Sequence, residues 1–187
     1  MDEKLAFIYR RRSIRKFTDQ PVETEKITEL LKAAMAAPTA MNTQPWQFVV
    51  VTEEELLKKI RNTLVFGKMN APLAIVVCGN MGVFNKRLTG KFWVQDCSAA
   101  TQNILLAASA LGLGSVWCGV HPIHTFEHRI SQVLSLPAEV TPLNVIYIGY
   151  PAEEKPARTQ YDPAKVSWNG YKKAEPSSED VADPISD

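Results

Sequence analysis

Apolar residues recur along this chain at two distinct periods. In residues 23–37, Ile27, Leu30, Leu31, Ala34 and Met35 fall on one face at helical spacing, and Pro38, which has no amide hydrogen, stops the run. An amphipathic helix is expected there. After a polar loop, residues 47–51 (QFVVV) form an apolar, β-branched run of the kind that suits a strand buried on both faces. Thr52 and Glu55 then have the spacing of a capping box, opening a short helix that carries Leu56, Leu57 and Ile60. Residues 73–78 (LAIVVC) repeat the buried-strand signature. Residues 96–111 form a long helix that is small or apolar around most of its circumference, so it is expected to be central and buried. Gly112 follows where a left-handed cap costs glycine nothing, and 115–118 reads as a third strand. Thr125 can cap a helix reaching about Leu134, before Pro137, and 143–150 is a fourth strand.

Helices and strands are thus mixed, with no repeat and no hinge-like linker, which predicts one α+β domain over residues 1–172. From Pro151 onward the chain becomes polar and proline-rich. Tyr161, Trp168 and Tyr171 are large apolar anchors within it, so 161–171 is expected to pack on something, whereas 173–187 is expected to be flexible.

Composition narrows the class. A chain of 187 residues that is 45% hydrophobic can fill one core. Its 21 basic and 20 acidic residues nearly cancel, leaving no overall field to recruit nucleic acid or an anionic membrane. Cys78, Cys97 and Cys118 make an odd set in apolar surroundings, which points to a reducing cytoplasm rather than a disulfide framework. The N-terminus lacks a secretory apolar stretch, and nothing approaches the ~20 apolar residues of a membrane span.

Two segments carry candidate chemistry. In Arg11-Arg12-Ser13-Ile14-Arg15-Lys16-Phe17, guanidinium groups flank a small hydroxyl and can grip a phosphate through charge-assisted bonds; taken alone, the segment reads more readily as a solvated basic helix end than as an anion site. Its isolation in a neutral chain, without interleaved aromatics, argues against nucleic acid. The loop 38–46 (PTAMNTQPW) is rich in groups that donate and accept, so it can read the edge of a heteroaromatic ring or simply connect a helix to a strand. Gly112-Leu113-Gly114 begins like a dinucleotide fingerprint but follows a helix and runs into Trp117. His121, His124 and His128 could place two imidazoles on one helical face, yet no carboxylate pattern completes a zinc site, and no metal is expected. Cys118 has no identifiable base beside it and reads as a packing residue.

The early RRSIRKF, the helix and PTAMNTQPW after it, the block WVQDCSAATQNILLAASALGLGSVWCGVHP, and NVIYIGYP followed by Lys155 and Arg158 resemble, in that order, the nitroreductase family of FMN flavoproteins. The resemblance implies a central, mostly antiparallel sheet flanked by helices, with a C-terminal segment from about 151 exchanged between the subunits of a homodimer. It further implies that Arg11, Arg12, Ser13 and Arg15, with Lys155 and Arg158, hold the flavin phosphate and ribityl chain. Pro38, Thr39, Ala40 and Asn42 would come from the partner subunit to line the ring. Trp117, Cys118, Gly119 and Val120 would pass along one ring face, and Lys68 would sit near its pyrimidine end. The implied activity is ping-pong transfer of hydride from NADH or NADPH through FMN to a small acceptor such as a nitroaromatic or quinone, with no catalytic side chain required. The chain departs from well-known members at Cys118, where those carry an acidic residue, and at His121, where a compact subfamily has tyrosine. A narrower flavoenzyme reaction and a non-catalytic flavin-binding module therefore stay open as alternatives.

Overall fold

In the computed structural model, residues 3–83 and 89–171 are described. They divide into a main unit ending at Ala157 and a second unit beginning at Arg158. The main unit holds five α-helices, α1 (Ala6–Arg10), α2 (Thr24–Met35), α3 (Glu54–Thr63), α4 (Trp93–Ala110) and α5 (His124–Leu134), and four strands, β1 (Trp46–Val51), β2 (Leu73–Asn80), β3 (Gly114–Gly119) and β4 (Val140–Gly149). The strands form one antiparallel sheet in the order β1-β2-β4-β3.

Side chains alternate across a pleated strand, and both central strands use both directions. Leu73, Ile75 and Val77 of β2, with Ile146 and Ile148 of β4, pack against α2 and α4. Ala74, Val76 and Cys78, with Val145 and Tyr147, pack against α3 and α5. Helices therefore cover both faces, which is why an antiparallel sheet here carries the continuous apolar runs usual for parallel ones. The α+β expectation holds.

Several local expectations are corrected. β1 is an edge strand with only Val51 buried; Val50 is exposed, so the QFVVV run is not covered on both faces in the single chain. The Thr52–Glu55 capping box does not form. Glu53 is the N-cap of α3, and its carbonyl, not a side chain, accepts from Leu56 and Leu57. Thr125 lies inside α5, whose N-cap is Ile123. Met35 is half exposed while Leu30 and Ala34 carry the buried stripe of α2. α4 begins three residues earlier than expected, at Trp93, and is buried through Cys97, Ala100, Ile104 and Ala108. Gly112 has the expected left-handed φ of 74°, and the amides of Gly112 and Leu113 return to the carbonyls of Ser109 and Ala108. The Gly112–Gly114 segment thus ends a helix and starts a strand, the reverse of a dinucleotide turn.

In the second unit, Pro163–Lys165 makes one 3-10 turn, capped by the Asp162 carboxylate accepting from the Ala164 amide at 3.0 Å. Tyr161, Trp168 and Tyr171 are solvent-exposed in the single chain. The expectation for 173–187 falls outside the described residues.

Candidate active site

The arginine-rich segment is an extended strap seated at the β3 end of the sheet. The Ile14 amide donates to the Ser115 carbonyl at 3.0 Å, and Thr18 to Tyr150 at 2.9 Å. Asn70 brackets the Phe17 backbone, accepting from its amide and donating to its carbonyl. Ile14 and Phe17 are buried, which turns Arg15 and Lys16 outward. Ile14 fits because residue 114 is glycine: a Cβ there would lie 2.8 Å from Ile14 Cγ2. A Gly114→Ala chain would have to displace the strap.

The segment after β4 ties down the other side. Ala152 donates to the Lys16 carbonyl at 2.9 Å, the Glu153 carboxylate accepts from the Arg15 amide at 2.6 Å, and Lys155 Nζ donates to the Ser13 carbonyl at 2.7 Å and to Glu153 at 3.1 Å. Arg12 donates to the Pro156 carbonyl. The Arg15 amide, and then the Lys155 ammonium, hold the Glu153 carboxyl below its ordinary range. A carboxyl depressed in the folded state stabilises it above the unfolded value, and that contribution is lost as pH falls through the folded pKa. Protection of the Arg15 amide from hydrogen exchange should therefore fall in acid, at a pH below the ordinary glutamate range. In Glu153→Ala it should be low already at pH 6 and insensitive to acid; wild-type protection at pH 6 in Glu153→Ala would contradict the role given to Glu153.

Two clefts flank the strap. The first, of about 170 Å³, is lined by Arg15, Val116–Gly119, Leu64–Phe66, Met69 and Phe126. The chain leaving β3 is anchored at a bulge: Leu143 falls between the β4 residues paired with Val77 and Cys78, and its carbonyl accepts from both Val120 and His121 at 3.0 Å. Trp117 and Gly119 face outward, and a Cβ at Gly119 would meet nothing within 4 Å, so open space lies over this stretch. Cys118 points inward. Burial pushes its thiol up to about 11, with Arg15 pulling weakly the other way. A thiol protonated at neutral pH is a poor nucleophile, in keeping with the packing role. Iodoacetamide at pH 8 should leave Cys118 unmodified in the folded protein and label it in denaturant, as read by peptide mass; rapid labelling of folded protein would overturn the buried assignment.

The second cleft, of about 380 Å³, is lined by Arg10, Arg11, Arg12, Ser115 and Lys155, and also by the acidic Glu153 and Glu154. Arg11, Arg12 and Lys155 thus meet at the second cleft, Arg15 faces the first, and Ser13 lines neither, its carbonyl accepting from Lys155. The structure also spends part of the basic set, because Lys155 and one arm of Arg12 serve backbone carbonyls. Among the described residues the guanidinium groups of Arg11 and Arg15 make no hydrogen bond or ion pair.

Other expected site residues lie elsewhere in the single chain. The loop 38–44 precedes β1, at the sheet edge opposite β3, so three strand spacings of roughly 4.8 Å separate it from Trp117–Gly119. It lines neither cleft. Met41, Asn42 and Gln44 all have positive φ. Gln44 donates from its amide to Thr39 Oγ1 at 3.1 Å and from its side chain to Asn42 Oδ1 at 2.9 Å. Lys68 is exposed beside buried Met69 and lines neither cleft. Arg158 belongs to the second unit.

Three features went unread in the sequence. Leu64, Val65, Phe66, Met69 and Phe126 wall the first cleft; the exposed Val65-Phe66 pair between two elements was a usable signal. Glu127 accepts from Nδ1 of both His121 (2.5 Å) and His124 (2.9 Å), so a carboxylate does sit among the histidines. Among the described residues, however, no group of three or more potential ligands is arranged to hold a metal. Asp96 turns inward and accepts from the Ala40 amide at 2.9 Å.

A two-faced antiparallel α+β sheet with an arginine strap beside an outward-facing edge strand defines the class of protein. The nitroreductase family profile matches residues 8–65 and 64–150, and the chain belongs to the nitroreductase family. A relative from Archaeoglobus fulgidus, which carries the provisional name NADH dehydrogenase/NAD(P)H nitroreductase, is 47% identical over 157 residues, covering 83% of this chain and 89% of its own. A crystal structure with the same provisional name from Parabacteroides distasonis superposes with a TM-score of 0.85 at 39% identity, covering 91% of this chain and all of that one. An FMN-dependent nitroreductase from Clostridium difficile R20291 gives a TM-score of 0.82 at 34% identity, covering 89% and 99%. No helix among the described residues is long and apolar enough to cross a membrane.

Proposed function

We propose that this chain is an FMN-dependent oxidoreductase that takes reducing equivalents from NADH or NADPH and passes them to a small organic acceptor, such as a nitroaromatic or a quinone. The observation that carries this reading is the first cleft, where an uncommitted arginine meets the open backbone of Trp117–Gly119 in a nitroreductase fold.

The residues present fit FMN. Arg15 offers a free guanidinium fork to an anion at the first cleft and Arg11 offers one at the second, and Ser13 on the strap between them adds a hydroxyl. The glycine at 119 leaves room for a flat ring to lie against the chain. When bound, FMN supplies a ring that accepts hydride from a nicotinamide and returns the electrons to an acceptor. The chain's part is to orient and to exclude. The strap fixes the anionic end, the Leu143 carbonyl holds Val120 and His121 in place, and Val65 and Phe66 offer an apolar wall from which water is displaced. The basic side chains favour added negative charge nearby. Arg158, Lys155, Arg12, Val120 and Lys68 are assigned to the same site through the family resemblance.

The separation of the 38–42 loop from the strap, across the width of the sheet, supports a site shared by two chains. Pro38, Thr39, Ala40 and Asn42 of the partner subunit would complete it. The exposed Tyr161, Trp168 and Tyr171 would lie on the partner.

Purified protein should be yellow with one FMN per chain and should bleach anaerobically on addition of NADH or NADPH, with steady-state turnover giving parallel double-reciprocal lines. Bound FMN that neither nicotinamide reduces would instead identify a binding module. Cys118→Ser should retain nicotinamide oxidation within a few-fold, since only packing is assigned to the thiol. Complete loss of turnover with FMN still bound would give the sulfur a chemical role.

A further inference from the structure

We infer that Asp96 is a positioning residue for the proposed flavin site: from the first turn of α4 it clamps the Ala40 amide and thereby sets the shape of the 39–44 loop. The inference rests on the FMN reading above for its functional consequence, and on the loop geometry alone for its structural one.

Four observations converge. Asp96 is 5% exposed, an unusual position for a carboxylate that forms no ion pair among the described residues. Its Oδ1 accepts from the Ala40 amide at 2.9 Å across 56 residues of sequence, making a long-range tie between α4 and the loop. The loop is strained: Met41, Asn42 and Gln44 hold φ values of 53°, 55° and 48°, conformations that side chains other than glycine adopt at a cost of order 1 kcal/mol or more each. Finally, Asp96 Oδ2, Thr43 Oγ1 and Trp46 Nε1, all on this loop, the strand it enters or the helix beneath it, are buried without a partner among the described residues.

The local bonds explain how one contact governs the whole turn. Thr39 is extended, with φ −133° and ψ 151°, and Ala40 opens the 3-10 turn Ala40–Asn42. The first amides of such a turn have no partner within it. Asp96 accepts from that of Ala40, after which Asn42 and Thr43 return to the carbonyls of Thr39 and Ala40 at 3.0 and 3.1 Å. Gln44 then closes onto Thr39 Oγ1. Without the Ala40 anchor, the three left-handed residues have no fixed reference and the loop relaxes towards conformations free of strain.

The consequence is that loop shape, and through it the presentation of Asn42 and of the 39–42 backbone, depends on an acceptor at position 96 rather than on charge there. Asp96→Asn keeps an oxygen that can accept from Ala40. Asp96→Leu removes it while keeping the same branched arrangement of side-chain heavy atoms. Ala40→Pro leaves Asp96 intact and deletes only the amide donor, at the first position of a turn whose preceding residue is already extended, where proline is tolerated.

The test measures full-length protein in two states. In apo protein, hydrogen exchange of the Asn42, Thr43 and Gln44 amides should be at least tenfold faster in Asp96→Leu and in Ala40→Pro than in wild type, and within threefold of wild type in Asp96→Asn. On titration with FMN, the first two variants should bind at least tenfold more weakly and shift the flavin absorption band, while Asp96→Asn stays close to wild type. Circular dichroism and the melting transition report whether each variant is folded. Wild-type exchange and wild-type FMN affinity in a folded Asp96→Leu would overturn the inference. So would loss of flavin only together with loss of fold in Asp96→Leu, if folded Ala40→Pro exchanges and binds like wild type. Failure of the FMN reading is distinguishable, because the wild-type chain itself would then take up no FMN while the exchange comparison in apo protein still reports on the clamp.

Discussion

Replacing Arg15 and Arg158 together with alanine is expected to yield a folded protein that purifies without its yellow colour. Charge-assisted hydrogen bonds contribute roughly 1.5–3 kcal/mol each. Losing one from each arginine costs about 3–6 kcal/mol, or roughly a hundredfold to ten-thousandfold in affinity. The Arg15 guanidinium makes no hydrogen bond among the described residues, so its removal should alter the stability of the apo protein by less than about 0.5 kcal/mol. An unchanged melting transition in apo protein, beside a collapsed FMN affinity, would therefore assign the loss to the ligand. The effect should weaken at high salt, as the phosphate contact is screened. Undiminished FMN retention would place the phosphate elsewhere, and FAD as the native cofactor would count against the assignment equally.

Truncating the tail should have the other large effect, and two cut points separate its two roles. A chain ending at Tyr150 loses Ala152, Glu153, Lys155 and Pro156, the residues that tie down the strap from its second side. It should be apo and prone to aggregate. A chain ending at Ala157 keeps every one of those ties and loses only Arg158 and the aromatic tail. It should fold, yet be monomeric at micromolar concentration and bind FMN at least a hundredfold more weakly. The reason is area. Three rings each bury roughly 150–250 Å², so two exchanged tails account for surface on the order of the ~1,000 Å² that a stable interface requires. If each site also draws Thr39 and Asn42 of the partner subunit, dimerisation and flavin binding form one equilibrium. Light scattering combined with the ratio of flavin to protein absorbance reads both halves. A yellow dimer from the chain ending at Ala157 would refute the tail's role, and a yellow full-length monomer would refute the shared site.

Much of the fold was legible because burial on both faces leaves an unmistakable trace. In 73–78 and 143–150 nearly every residue is apolar, since helices cover both sides of β2 and β4, and a run of that kind excludes an exposed face. The left-handed turn at Gly112 and the small, apolar circumference of α4 were equally local signals. The four ordered motifs identified the nitroreductase family, because each lies in one continuous stretch. Within the strap, the alternation of buried Ile14 with outward Arg15 is already written in RRSIRKF.

Only the tertiary structure decided which apolar strand is an edge. The valines of QFVVV report attraction to apolar neighbours but not how many neighbours there are, and β1 has one strand partner and two half-covered faces. Helix starts were misread for a related reason. Thr52 and Thr125 are good caps in isolation, but α3 starts after Glu53 and α5 after Ile123, and neither N-cap residue makes a side-chain capping bond. Asp96 was hidden because an acid in a helix's first turn ordinarily faces water and complements the dipole. It turns inward here only because a loop 56 residues away in sequence presents an amide to it. The same holds for Glu127 between two imidazoles and for Lys155 spent on the strap's Ser13 carbonyl. Residue type and spacing determine which chemistry is available, whereas the commitment of each polar group to a partner is set by long-range contacts that a linear pattern does not encode.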